Sequence, residues 1–149
     1  MGLWFTNRKT ETEFMYTSSA NRAVVWGFVI IAILVNIAGY WLNLYDRFVW
    51  FDEVVHTYTS FALTLLSALL LYGEVLGGVR KRPILLVLTI ASLGVALGAL
   101  WEIAEWGYDQ VSAGNDILGK RDTMIDLILD TLGAVAAGIV SVEMVEEKN

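Results

Sequence analysis

AVVWGFVIIAILVNIAGYWLNLY, residues 23–45, carries no charged side chain. A hydrocarbon core about 30 Å thick is crossed by about 20 helical residues, so this run predicts a transmembrane helix. Three further stretches follow the same logic. Residues 53–73 are uncharged from 57 onward, and residues 83–106 are uncharged from Pro83 to Trp101. The last, 123–142, has an uncharged part, 131–142, too short to span alone. If it crosses, it takes Asp130 and Asp126 into the membrane. The expected fold is all-α, a polytopic membrane protein built as a four-transmembrane-helix bundle. It has an N-terminal tail at 1–22, a membrane domain at 23–142 and a C-terminal tail at 143–149.

Composition agrees. The 149 residues are 56% apolar and 17% charged, against about 45–50% and about 25% in soluble domains. The mean hydropathy is +0.59. Cysteine is absent, which removes disulfides, thiolate metal sites and cysteine nucleophiles. A net charge of −6 speaks against nucleic acid as a partner. The first 21 residues are polar and the first apolar run lacks a small-residue cleavage site, so that run is expected to stay in the mature protein.

Local signals punctuate the helices. Pro83 fits a helix start, where its missing N–H costs nothing. Gly77-Gly78 and Gly114-Asn115 read as turns. Asp122 or Thr123 reads as a cap for the last helix. Trp26, Trp41, Trp50, Trp101 and Trp106 suit interfacial belts. Gly94-x-x-x-Gly98, with Gly133, Ala134, Ala137 and Gly138, permits close helix approach. Packing within one subunit explains these residues, and a homo-oligomer stays open.

Basic residues set the expected orientation. Arg8, Lys9, Arg22, Arg80, Lys81, Arg82 and Lys148 fall on one side. Arg47, Lys120 and Arg121 fall on the other. Both termini are therefore expected in the cytoplasm, with the protein in the cell (inner) membrane.

The acids are the unusual feature. At 1.5 Å of rise per residue, His56 lies about 27 Å above Glu74, Glu102 about 28 Å above Pro83 and Asp126 about 24 Å from Val142. Three helices thus bring one ionisable group each to one level near the outer boundary. Asp52, Glu105 and Asp122 lie one turn further out and Asp130 one turn deeper. Asp52 and His56 are i, i+4. Glu102 and Glu105 are i, i+3. Asp122, Asp126 and Asp130 form an i, i+4, i+8 stripe, so each set shares a helix face.

An ionised acid in the bilayer centre costs roughly 3 kcal/mol or more, so such groups face the bundle interior and find partners. One partner is a divalent metal ion (Zn, Mn, Fe, Mg or Ca), for which His56, Glu102, Asp126, Asp130, Glu105 and Asp52 are candidate ligands. The dicarboxylate-dihistidine pattern of soluble di-iron bundles is not met, since the chain has one histidine. Plainer readings stand beside the metal. Asp52, Glu53 and Asp122 suit helix N-termini, Arg47, Lys120 and Arg121 suit ion pairs, and the acids suit a proton or ion path. Glu74 reads as a solvated boundary residue and Asn36 as interhelical glue.

YDRFVWFDEVVH, GALWEIAEW and DTMIDLILDTLGA together resemble the YjdF-like family of small inner-membrane proteins, over about Tyr45 to Ala134. The order of elements is also similar to VanZ-like proteins. Those carry an Asp and His opening a helix, a later Glu-x-x-Gln, then Asp-x-x-x-Asn before a Gly. The matching positions are Asp52 with His56, Glu102 with Glu105, and Asp126 with Asp130 before Gly133. Glu105 and Asp130 replace amides and add negative charge, which favours a bound cation. The resemblance implies a common architecture and supplies no reaction.

Three functions follow as expectations. The first is a metal-dependent enzyme open to the outer leaflet. It would act on a lipid or lipid-linked substrate, with Arg47, Lys120 or Arg121 holding an anionic head group. The second is a cation or proton transporter or sensor, and the third a noncatalytic structural subunit. No serine-histidine nucleophile arrangement is present, so in the first case a metal must carry the chemistry.

Overall fold

A computed structural model describes residues 19–71, 76, 79, 81–112 and 119–144. The expected Gly77-Gly78 and Gly114-Asn115 turns, Glu74, Arg80 and most of both tails lie outside the described residues. The described chain is helical: α1 (Ser19–Trp41), α2 (Leu44–Arg47), α3 (Val49–Leu71), α4 (Pro83–Val111) and α5 (Lys120–Met144). The four long helices are each apolar and long enough to cross a membrane.

Helix ends differ from the hydropathy limits for local reasons. α1 stops at Trp41 because Asn43 adopts a left-handed conformation, φ 53° and ψ 42°, which asparagine tolerates better than most residues. The single turn α2 and extended Phe48 (φ −132°) then lead into α3. α3 begins at Val49, so Asp52 lies in its first turn and not at the cap position. Its charge favours that end of the helix. α5 likewise begins at Lys120, after Gly119 at φ 127°, so neither Asp122 nor Thr123 is its cap. Pro83 does occupy the first turn of α4. α4 is 29 residues long, more than a bilayer core requires.

α5 packs along both α3 and α4, and α1 lies along α3. Hydropathy explains this order. α3 and α5 have the lowest mean hydropathies of the four spans, 1.6 and 1.9, against 2.2 for α1 and 2.4 for α4. The helices richest in polar groups take the inner places, where those groups escape lipid. α1 buries one stripe, Val25, Val29 and Ala32. It is tied to α3 by Asn36, whose Nδ2 donates to Thr59 Oγ1 at 3.1 Å.

Small residues set the helix separation, because lipid offers no hydrophobic drive for helix association. A Cβ on Gly133 would strike the Thr57 carbonyl of α3, and one on Gly98 would strike the Asp130 side chain of α5. The glycines predicted to allow close approach therefore work within one subunit. Gly133→Ala should lower the thermal midpoint in detergent, at an overpacking cost of about 1–3 kcal/mol. Gly27, with nothing near its missing Cβ, should accept alanine without loss. Circular dichroism melts of both variants check this.

Candidate functional site

At the end of the bundle where α2 lies, α3 and α5 begin and α4 ends. His56 projects from α3 into this region and is 6% exposed. Its two ring nitrogens face different acids. Nδ1 stands 3.4 Å from Asp130 Oδ1 of α5 and 3.9 Å from Glu102 Oε1 of α4. Nε2 stands 3.6 Å from Asp52 Oδ1, one turn earlier on α3.

Two ligand-capable groups result, His56 with Glu102 and Asp130, and His56 with Asp52 and Asp126. Within each, the offered atoms lie within 4.8 Å of one another. Glu102, Asp126 and Asp130 are buried at 5%, 3% and 4% exposure, whereas Asp52 is half-buried. Five of the six candidate ligands thus meet from three helices. Glu105 does not join them. Its Oε1 accepts the Trp101 indole N–H at 2.7 Å on the outer side of α4. The difference is one of helix phase: Glu102 points inward, and Glu105, three residues on, turns partly toward the rim.

The surroundings leave the cluster short of partners. Among the described residues, no lysine or arginine comes within 4.0 Å of the Asp52, Glu102, Asp126 or Asp130 carboxylates. Arg47, Lys120 and Arg121 are at the same end but exposed. Thr123 hydrogen-bonds the Glu102 side chain. Glu102 Oε1 and Asp130 Oδ2 are nevertheless buried with no hydrogen bond. An orphaned buried oxygen of this kind costs about 1–3 kcal/mol, more if charged.

Sequence reading missed several supporting residues. Ser60 Oγ donates to the Asp130 carbonyl at 2.8 Å, and Thr64 Oγ1 is buried without a partner. Both continue the His56 face of α3 at i+4 and i+8, a spacing visible in the sequence. The track ends at Ala68, which packs in an apolar cluster with Leu76, Leu86 and Ile90. Tyr45 OH donates to Asn36 Oδ1 at 3.2 Å, so Asn36 is the interhelical link expected of it. Burial, then the nearby Tyr40, Asp52 and Glu105, holds the Tyr45 phenol above its ordinary range. It therefore stays a neutral donor at physiological pH.

A family described as a predicted membrane protein (DUF2238) matches residues 12–147. The chain belongs to that family. It is the family named YjdF-like above. An uncharacterized protein of Thermotoga maritima is 36% identical over 105 residues, 66% of this chain and 50% of the relative. The chain therefore spans about half the length of that relative. No solved structure matches this DUF2238 member.

Removing one partner from a buried ionic group costs about 3–5 kcal/mol. In chelator-treated protein, His56→Ala should lower the thermal midpoint, and adding Asp130→Asn should restore part of the loss. Melts of the single and double variants measure the coupling.

Proposed function

We propose that this DUF2238 protein binds one divalent cation between α3, α4 and α5, through His56 Nδ1, Glu102 and Asp130. The observation that carries this reading is the pair of buried oxygens without a hydrogen bond, Glu102 Oε1 and Asp130 Oδ2, beside a single imidazole. The spacing supports it. The His56–Asp130 contact at 3.4 Å is a long hydrogen bond, and Glu102 Oε1 at 3.9 Å is beyond one. Ligands about 2.1 Å from a common ion lie about 3.0–3.4 Å apart in octahedral or tetrahedral geometry; Asp130 stands at that spacing, and Glu102 reaches it by closing about half an ångström. The donor set, two carboxylates and one imidazole, suits Mn, Fe or Zn better than Mg or Ca, because the imidazole favours transition ions.

Asp52, on the other ring nitrogen, takes the role of the carboxylate that orients a metal-bound histidine. Asp126 adds negative charge behind it. Asp130 stands where the VanZ-like pattern has an amide, and it makes the shortest contact with His56. Glu105, the other departure, lies outside the site. A closed pocket fits better than a pathway, because the polar track stops at Thr64 above the Ala68 cluster.

A cation held here would polarise a phosphoryl or carbonyl oxygen of a lipid-linked substrate, with Arg47, Lys120 and Arg121 at the same end to hold its anionic part. The basic residues favour both termini in the cytoplasm and the site toward the outer leaflet of the cell membrane.

Elemental analysis of detergent-purified protein should find about one transition ion per chain. Glu102→Gln and Asp130→Asn, with helix content checked by circular dichroism, should lose most of it. A wild type that stays metal-free after incubation with Mn, Fe or Zn would overturn the reading.

The cysteine-free sequence allows a clean orientation test. An impermeant maleimide on intact cells should label Lys120→Cys and spare Lys81→Cys. The reverse pattern would invert the topology.

A further inference from the structure

Glu105 alone among the six candidate ligands falls outside both ligand-capable groups. Glu105 lines a cavity of about 350 Å³ together with Tyr40, Trp101, Ala104 and Tyr108. Tyr40 comes from the last turns of α1 and the others from the second half of α4. These two helices do not pack along one another, and the cavity fills the gap between them.

Its one charged lining residue is the acid. The Glu105 carboxylate accepts the Trp101 indole N–H through Oε1. Aromatic faces carry the negative side of a ring quadrupole, and three partly exposed rings share the lining with the acid. No lysine or arginine lines the cavity. A phosphate or carboxylate would meet the Glu105 charge, and the Trp101 N–H is already engaged by Glu105. A small metal ion would find one carboxylate and no further strong ligand. An organic ammonium group gains from both the carboxylate and the rings, which is how aromatic cages recognise such cations. The cavity also lies in the last turns of membrane helices, at the depth where head groups begin.

We infer that the cavity between α1 and α4 binds the ammonium of an aminophospholipid head group, with Glu105 as its counter-ion and Tyr40, Trp101 and Tyr108 as its cage. This inference does not depend on the cation proposed for His56, Glu102 and Asp130.

The test uses the full chain in maltoside, with calorimetric titration of three probes: a short-chain phosphatidylethanolamine, a phosphatidylglycerol of the same chains, and ethanolamine. Phosphatidylethanolamine should bind in clear preference to phosphatidylglycerol, and Glu105→Gln should weaken it by about tenfold or more. Ethanolamine binding as tightly as the lipid would keep the ammonium site but assign it to a free amine. Trp101→Phe keeps a ring, removes the indole donor and should weaken binding less than Glu105→Gln. Equal binding of the two lipids, or undiminished binding by folded Glu105→Gln, would overturn the inference and leave the rings as an interfacial belt. Metal content is measured on the same samples. Glu105→Gln should keep its ion, so failure here and failure of the metal reading give different results.

Discussion

The hydrocarbon interior of a bilayer holds no water to solvate a charge, so any ionisable group drawn into it must face protein. That constraint orders this molecule. α3 and α5 carry His56, Asp126 and Asp130, and they occupy the inner places of the bundle. α1 and α4 are more apolar and give broad faces to lipid, with Ile30, Leu34, Leu88 and Leu97 among the exposed side chains. Helix order, helix rotation and the gathering of acids at one end are consequences of the same exclusion.

The two ends of the bundle are held by different means. Near the ends of α3 and α5, Ala68, Leu76, Leu86 and Ile90 form an apolar cluster, and Val25, Leu65 and Ala137 form another close by. Where α3 and α5 begin, carboxylates and one imidazole fill the space that aliphatic side chains fill elsewhere. Such a core is a poor way to gain stability, because its desolvation cost offsets much of its attraction.

Much of this was legible in the residues themselves. The uncharged runs gave the number of spans, and the rise per residue brought His56, Glu102 and Asp126 to one level. The i, i+4 stripe of α5 correctly aimed Asp126 and Asp130 the same way. Helix ends were harder, since hydropathy is blind to the left-handed Asn43 that closes α1 and to acids that lie inside a first turn. Glu105 was harder still. Its spacing from Glu102 left the helix phase ambiguous by a fraction of a turn, and only the placement of α5 decided which acid looks inward. Thr123 met Glu102 only through the crossing of α4 and α5, a contact that no local pattern carries.

Gly98 contributes no functional group, yet the carboxylate of Asp130 lies in the notch it leaves on α4. Above that carboxylate, the Asp130 main chain is bonded by Ser60. Asp130 is thus gripped from two helices, and it has little freedom to swing. The separation of these acids is governed by how near two backbones can come, so an atom that is missing from the sequence acts as the gauge for how closely they stand.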